Sequence, residues 1–327
     1  MSDETRTRKE PTRPRDKELG GESEPFAEES TEAGVQAAEA GAPSGSTTSL
    51  WQDAWHDLRS NPLFVVSAVL ILIFIVMAAA PQLFTTASPR DCNLSNFVAR
   101  PSAEHWFGFD IQGCDYYAQV IYGARASIVI GISTVAAAAL IAIIGGSVAG
   151  YYEGIFDTLI ARVTDIWFAI PTILGGIVLL SVLENQGIFQ VSLVLIVLGW
   201  TTMLRLMRSS VLSAKNNDYV EAARALGAND FRIITKHILP NAIAPVVVYA
   251  TIYVGIIISA EAALSFLGVG LQLPAISWGL MISEAQNRVF QAPPLLFFPG
   301  IFLSVTIFAF ILMGDALRDA LDPKMHQ

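Results

Sequence analysis

The amino-acid sequence predicts an all-α membrane protein with six transmembrane helices, and three observations predict it. Hydrophobic residues make up 53% of the 327 residues and charged residues 15%, where an ordinary soluble domain is about 25% charged. The charge is concentrated at one end: residues 1–49 hold 17 charged residues and 10 hydrophobic ones, leaving the rest about 12% charged and near 59% hydrophobic. Apolar stretches of about 20 residues, the length that crosses a bilayer as a helix, then recur along the chain. A single soluble domain, a disulfide-rich secreted scaffold and a nucleic-acid binder are excluded on this composition.

Residues 1–49, with 11 acidic and 6 basic side chains and much Glu, Ser, Gly, Pro and Thr, have too little apolar surface to offset the entropy of ordering and are expected to be a disordered acidic tail. The first apolar run starts roughly 60 residues in, which argues against a cleavable signal peptide. Trp51, Trp55 and Leu58 share one helical face in WQDAWHDLRSNP. They predict a short interfacial helix over 50–61, stopped at Pro62, with its aromatic rings at the lipid headgroups. A transmembrane region over 62–323 follows, with spans predicted at about 63–84, 126–150, 158–183, 189–212, 243–270 and 294–316. Gly146 and Gly150 in the second span have the spacing that lets another helix approach closely.

Lys and Arg set the orientation. The long segment between the fourth and fifth spans holds Arg205, Arg208, Lys215, Arg224, Arg232 and Lys236 against Asp218, Glu221 and Asp230, a net +3, whereas the loop at 85–124 is −2. The excess of positive charge predicts that the 213–242 loop is cytoplasmic, that 85–124 is an outer loop, and that both termini are cytoplasmic.

The 213–242 loop reads as two short helices. Asp218 is placed to cap the first, with Glu221 reaching back three residues later. Tyr219, Ala222, Ala223 and Leu226 recur at helical spacing, and Gly227 supplies a C-terminal stop. The second is expected to start near Asn229, with Phe231, Ile234 and Ile238 on one side, and to end at Pro240. Such a pair either folds back on the headgroups or docks a partner.

Glu221-Ala222-Ala223, then Gly227, then Leu239-Pro240 resembles the EAA loop of binding-protein-dependent ABC transporter permeases. The His237-Ile238-Leu239-Pro240-Asn241 ending is similar to that of the dipeptide, oligopeptide and nickel branch. Four further segments resemble that branch in order: His105-Trp106-Phe107-Gly108-Phe109-Asp110, Tyr122-Gly123-Ala124-Arg125-Ala126-Ser127, Glu261-Ala262-Ala263-Leu264-Ser265-Phe266-Leu267-Gly268 with Trp278-Gly279, and Gly314-Asp315 through Asp322-Pro323. The long soluble N-terminus and the Leu264–Gly268 segment resemble the C-type of its two permease subunits. Phe109 and Cys114 depart from the usual pattern.

The resemblance implies an importer half in a prokaryotic plasma membrane: a second homologous permease, two cytoplasmic ATPase subunits that hold ATP and Mg, and an extracytoplasmic substrate-binding protein. It implies that Glu221, Ala222, Ala223, Gly227, Leu239 and Pro240 relay ATPase closure to the membrane helices. Dipeptides or oligopeptides are the expected cargo, with nickel complexes or another small solute as the alternative.

The chain offers no Gly-Lys dipeptide for a phosphate-binding loop, and its histidines and cysteines lack metal-ligand spacing. No cofactor is expected on it, and no nucleophile is paired with a base. A stand-alone channel or ion-driven carrier predicts transport without an ATPase and leaves the 213–242 helices unexplained. Asp165 and Glu261 are the candidate intramembrane polar residues. A structural pairing is favoured for them, for Asp165 with Arg162 or Arg205. Cys92 and Cys114, the two cysteines of the chain, both fall in the 85–124 loop, which favours a disulfide over two free thiols.

Overall fold

A computed structural model describes residues 50–321; the tail reading for 1–49 and the Asp322-Pro323 end of the closing segment fall outside the described residues. The described chain is helical, with α1 at Leu50–Ser60 and α2 at Pro62–Ala79. Asn61 accepts the Leu63 amide at 2.9 Å and Pro62 occupies the first turn of α2, so one Asn-Pro step both stops α1 and starts α2. Leu58 is buried, whereas Trp55, on the same predicted face, is exposed.

The helix α3, Tyr116–Tyr152, is 37 residues long and starts ten residues before the predicted span. Its first turns, Tyr-Tyr-Ala-Gln-Val-Ile-Tyr-Gly-Ala-Arg, are too polar and aromatic to count as a span. Asp115 nonetheless caps them, its carboxylate accepting the Ala118 amide at 2.7 Å. The loop is therefore shorter than the predicted 85–124 and ends at Asp115.

The third and fourth spans are each broken. In place of one helix over 158–183, α4 (Gly154–Phe168) and α5 (Thr172–Val182) meet at 82°. Pro171 has no amide to donate and forces Ile170 out of helical geometry. In place of one helix over 189–212, α6 (Ile188–Gly199) and α7 (Thr201–Lys215) meet at 44° about Trp200. Between α7 and the next long helix lie α8 (Asp218–Ala225), α9 (Asp230–Arg232), a π-turn over Ile233–Ile238 and α10 (Leu239–Ala242). Then come α11 (Ala244–Phe266), the unpredicted α12 (Trp278–Ala285) and α13 (Pro294–Leu321). Four helices, α2, α3, α11 and α13, are continuous and apolar enough to cross a bilayer, and there are six spans if each bent pair crosses once.

At the centre is α3, packed against α2, α6, α7 and α11, while α13 lies across α11 and α2. Close approach depends on glycine. A Cβ on Gly146 would sit 2.6 Å from Met207 Cβ, and one on Gly150 would sit 2.8 Å from the Arg208 carbonyl. The GxxxG pair thus brings the backbones of α3 and α7 together.

The 85–115 segment folds on itself. Cys92 and Cys114 are joined by a disulfide, His105 Nδ1 lies 2.6 Å from the capping carboxylate of Asp115, and Phe107 stacks on Phe298 of α13. Gly108 adopts a positive φ with its missing side chain against the Ala99 carbonyl.

Two outcomes are expected. Replacing Gly150 by Leu overpacks the α3–α7 contact and lowers stability by about 1–3 kcal/mol, read as a fall in the melting temperature of the detergent-purified chain, with a smaller fall for Gly150→Ala. Denaturation without reductant leaves both cysteines closed to maleimide and reduction opens both, with a loss on reduction of about 3 kcal/mol for a loop of this length.

Candidate functional site

The predicted coupling loop forms one end of the bundle, and its helices are set by local chemistry. Helix α8 starts after Asn217, one residue earlier than predicted, so Asp218 and Glu221 lie in its first turn and make no capping box. Two negative charges there suit the partial positive charge of a helix N-terminus, as Arg224 suits the C-terminus. The stop is a Schellman motif: Gly227 has φ +81°, its amide donates to the Arg224 carbonyl at 3.0 Å, and the Ala228 amide donates to the Ala223 carbonyl at 3.1 Å. Asn229 then caps the next turn, accepting the Arg232 amide at 2.9 Å.

The faces differ from those the 3.6-residue pattern predicts. On α8 the inward residues are Val220 and Ala223, while Tyr219, Ala222 and Leu226 face out, Leu226 with 89% of its surface exposed. Further on, Ile233 and Ile238 are fully buried and Phe231 is 76% exposed. The two isoleucines, five positions apart, share a face because the intervening turn is a π-turn, with the Leu239 amide donating to the Ile234 carbonyl. Pro240 does not end the helix. The wide turn accommodates its ring, which in a regular α-helix would meet the carbonyl four residues back. The break comes at Ile243, before Pro245.

The inward face joins the membrane helices. Val220, Ile233, Ile238 and Ala242 share one buried cluster with Tyr151 at the end of α3 and with Met207 and Val211 of α7. Polar bonds reinforce it. The Tyr151 hydroxyl donates to Asp230 at 2.7 Å, and Lys215 at the end of α7 donates to the Tyr151 carbonyl and to Glu153, each at 2.8 Å. The outward face combines the exposed Tyr219, Ala222, Leu226 and Phe231 with Arg232 and Lys236, while the Arg224 side chain interacts with Tyr151.

The two intramembrane acids stand apart from this surface. The Arg205 guanidinium donates to Asp165 at 2.8 Å, with both side chains exposed. Beside it Arg208 makes two bonds to Asp157, tying α7 to α4. Glu261 is fully buried. Its carboxylate accepts hydroxyl bonds from Ser265 at 2.9 Å, Ser277 at 3.0 Å and Ser127 at 3.2 Å. Ser277 also caps α12, accepting the Leu280 amide at 3.2 Å, and Ser265 accepts the Leu271 amide at 3.1 Å. One carboxylate therefore clamps α3, α11, the 268–277 turn and the start of α12. Next to it the Trp278 indole donates to the Val120 carbonyl at 2.9 Å, and a Cβ on Gly279 would meet the backbone of Ala262 at 2.5 Å. Helical spacing accounts for Ser265, four residues on in α11, but gives no sign of Ser127 or Ser277, 134 and 16 residues from Glu261.

Among the described residues, no group of three or more His, Cys, Asp and Glu side chains could hold a metal ion. Glu261→Ala leaves three buried hydroxyls without their acceptor, at about 1–3 kcal/mol for each one unsatisfied. Its melting temperature is expected to fall well below that of Glu261→Gln, which keeps a carbonyl oxygen in place.

Comparison with known proteins places this architecture. Residues 142–327 match the family described as the inner membrane component of binding-protein-dependent transport systems, and residues 49–100 match the N-terminal transmembrane domain of oligopeptide transport permease C. The chain is 39% identical over 295 residues to the oligopeptide transport system permease protein OppC of Bacillus subtilis, covering 90% of this chain and 96% of that protein. It is 39% identical over 280 residues to the dipeptide transport system permease protein DppC of Alkalihalophilus pseudofirmus, covering 86% and 92%. Among solved structures, an inward-facing form of the MetNI methionine ABC transporter shares the fold at a TM-score of 0.52 and 17% identity, over 62% of this chain and 96% of that one. The chain is a multi-pass membrane protein and belongs to the inner membrane components of binding-protein-dependent transport systems.

Proposed function

We propose that this chain is the C-type permease subunit of an ATP-driven importer of dipeptides or oligopeptides in a prokaryotic plasma membrane. With a second homologous permease it forms the translocation path. Two cytoplasmic ATPase subunits, which carry the ATP and Mg, work the helices, and an extracytoplasmic binding protein delivers cargo at the 85–115 end. The chain itself makes and breaks no covalent bond.

The observation that carries the coupling role is the two-faced helix pair over 218–242. Its inward face is bonded and packed to the ends of α3 and α7, so a push on it is transmitted to two long helices. Its outward face leaves Leu226, Phe231 and the cationic Arg232 and Lys236 exposed. An apolar centre with a charged rim is the composition of a protein–protein interface. Glu221, Ala222 and Gly227 lie on the outward side, where an ATPase would meet them. Ala223 and Leu239 shape the support beneath, and Pro240 lies exposed at its end. The peptide cargo follows from the relatives' names, and the positive charge of the 213–242 loop supports a cytoplasmic placement.

Leu226→Asp separates docking from folding. As an exposed substitution it changes the chain's own stability by no more than about 0.5 kcal/mol, yet at the centre of an interface it costs about 2 kcal/mol or more in binding. The variant is expected to insert and melt normally while the ATPase subunits fail to co-purify with it. Glu221→Lys is expected to lose the ATPases or to uncouple hydrolysis from peptide uptake. Normal uptake by both variants removes the coupling assignment.

A further inference from the structure

At the end of the bundle opposite the 213–242 helices, a cavity of about 540 Å³ lies between the 86–90 segment, the first turns of α3, the start of α6 and the turn before α12. Its lining is mostly uncharged and includes Ser88, Tyr122, Ala126 and Ile188, but two arginines also line it, Arg90 and Arg125. Both guanidiniums are held by carbonyl groups. Arg90 donates to the Pro274 carbonyl at 2.9 Å, and Arg125 donates to the Ala78 and Ala79 carbonyls at 2.9 Å and 3.1 Å. Carbonyls orient a guanidinium without neutralising it. Among the described residues, the ion pairs are His105–Asp115, Arg205–Asp165, Arg208–Asp157 and Lys215–Glu153, so neither Arg90 nor Arg125 has a carboxylate within ion-pair distance. Each guanidinium has five donors, and the bonds to these carbonyls occupy only some of them.

Two un-neutralised guanidiniums in one concavity select an anion with several oxygens, and Arg matches phosphate geometry well. The depth narrows the source. Arg125 satisfies the last carbonyls of α2, so the cavity lies where that apolar helix ends, at the level where a bilayer's headgroups begin. Below Arg125 on the same face of α3, at helical spacing, come Val129 (42% exposed), Ile132 (39%), Ala136 and Leu140 (60%). They form an apolar strip that no other helix among the described residues covers. A cationic cavity above an uncovered apolar strip is complementary to a phosphate with a hydrocarbon tail, whereas a passage for peptides would require polar groups along its length.

We propose that Arg90 and Arg125 bind the phosphate of an anionic phospholipid whose acyl chain lies along Val129, Ile132, Ala136 and Leu140. The lipid covers this exposed strip of α3 and seals the top of α2. The inference requires the chain to sit in a bilayer and is independent of the cargo.

The test uses the full-length chain as purified from its own membrane, stripped of lipid in detergent. It is then titrated with dioleoyl-phosphatidylglycerol or dioleoyl-phosphatidylcholine and read by native mass spectrometry. The wild type is expected to hold one phosphatidylglycerol in preference to phosphatidylcholine. Arg90→Gln and Arg125→Gln are each expected to weaken that binding about fivefold, the effect of one cation at an anionic headgroup. Because Arg125 also closes α2, Arg125→Gln is first melted in phosphatidylcholine; if it does not fold, Arg90→Gln decides alone. Equal retention of the two lipids by the wild type, or unchanged retention by Arg90→Gln, overturns the site. Displacement of the lipid by equimolar inorganic phosphate assigns the cavity to a free anion, and displacement by a dipeptide assigns it to cargo. Either result overturns the lipid reading.

Discussion

The distance between α3 and α7 is the constraint on which the rest of the molecule depends. Gly146 and Gly150 leave no side chain between the two backbones, and the contact is made where apolar lipid offers helices no hydrophobic reason to associate. It aligns the end of α3 with the end of α7, so that Tyr151 and Lys215 meet. That meeting point receives Val220, Ile233 and Ile238 from the helix pair over 218–242. The close packing of α3 against α7 and the position of the 218–242 pair are therefore one geometric fact.

Polar groups in this chain are placed where they lock elements together. Glu261 with its three serines clamps α12 to α3 and α11, Arg208 with Asp157 ties α7 to α4, and the disulfide with the His105–Asp115 contact closes the loop above α3. Between these clamps lie the bends at Ala169–Pro171 and at Trp200, the places where the long helices are already broken. A transporter that alternates between two openings needs rigid pieces joined at few flexible points. The clamps and the bends are arranged in that way.

What is legible in the sequence, and what is hidden, follows from the range of each interaction. Apolar length marks a span, and α2, α11 and α13 lie where the runs of hydrophobic residues lie. Gly227 is legible as a stop because a Schellman motif is local. The face of α8 is not, since a periodic pattern of Tyr219, Ala222, Ala223 and Leu226 does not say which side meets the chain's own helices. The second helix of the pair defeats a 3.6-residue period because it contains a π-turn, where Ile233 and Ile238 align at five. Helix α12 has eight residues and follows a turn rich in Gly and Pro, too short and too interrupted for periodicity. Ser265 is one helical turn from Glu261, but Ser127 and Ser277 come from elsewhere in the chain, and only the fold brings them to it.

The central claim is that the helix pair over 218–242 is rigidly seated on α3 and α7 and presents its outward face to the ATPase. Amide hydrogen exchange on the intact complex, with the ATPase subunits present or stripped away, measures this directly. The account predicts that exchange at 218–228 slows when the ATPases are present, while exchange at Ile233–Ile238 is slow in both states and the 85–115 loop is unchanged. Exchange at 218–228 that is indifferent to bound ATPases, or fast exchange at Ile233–Ile238 in the free chain, would contradict it.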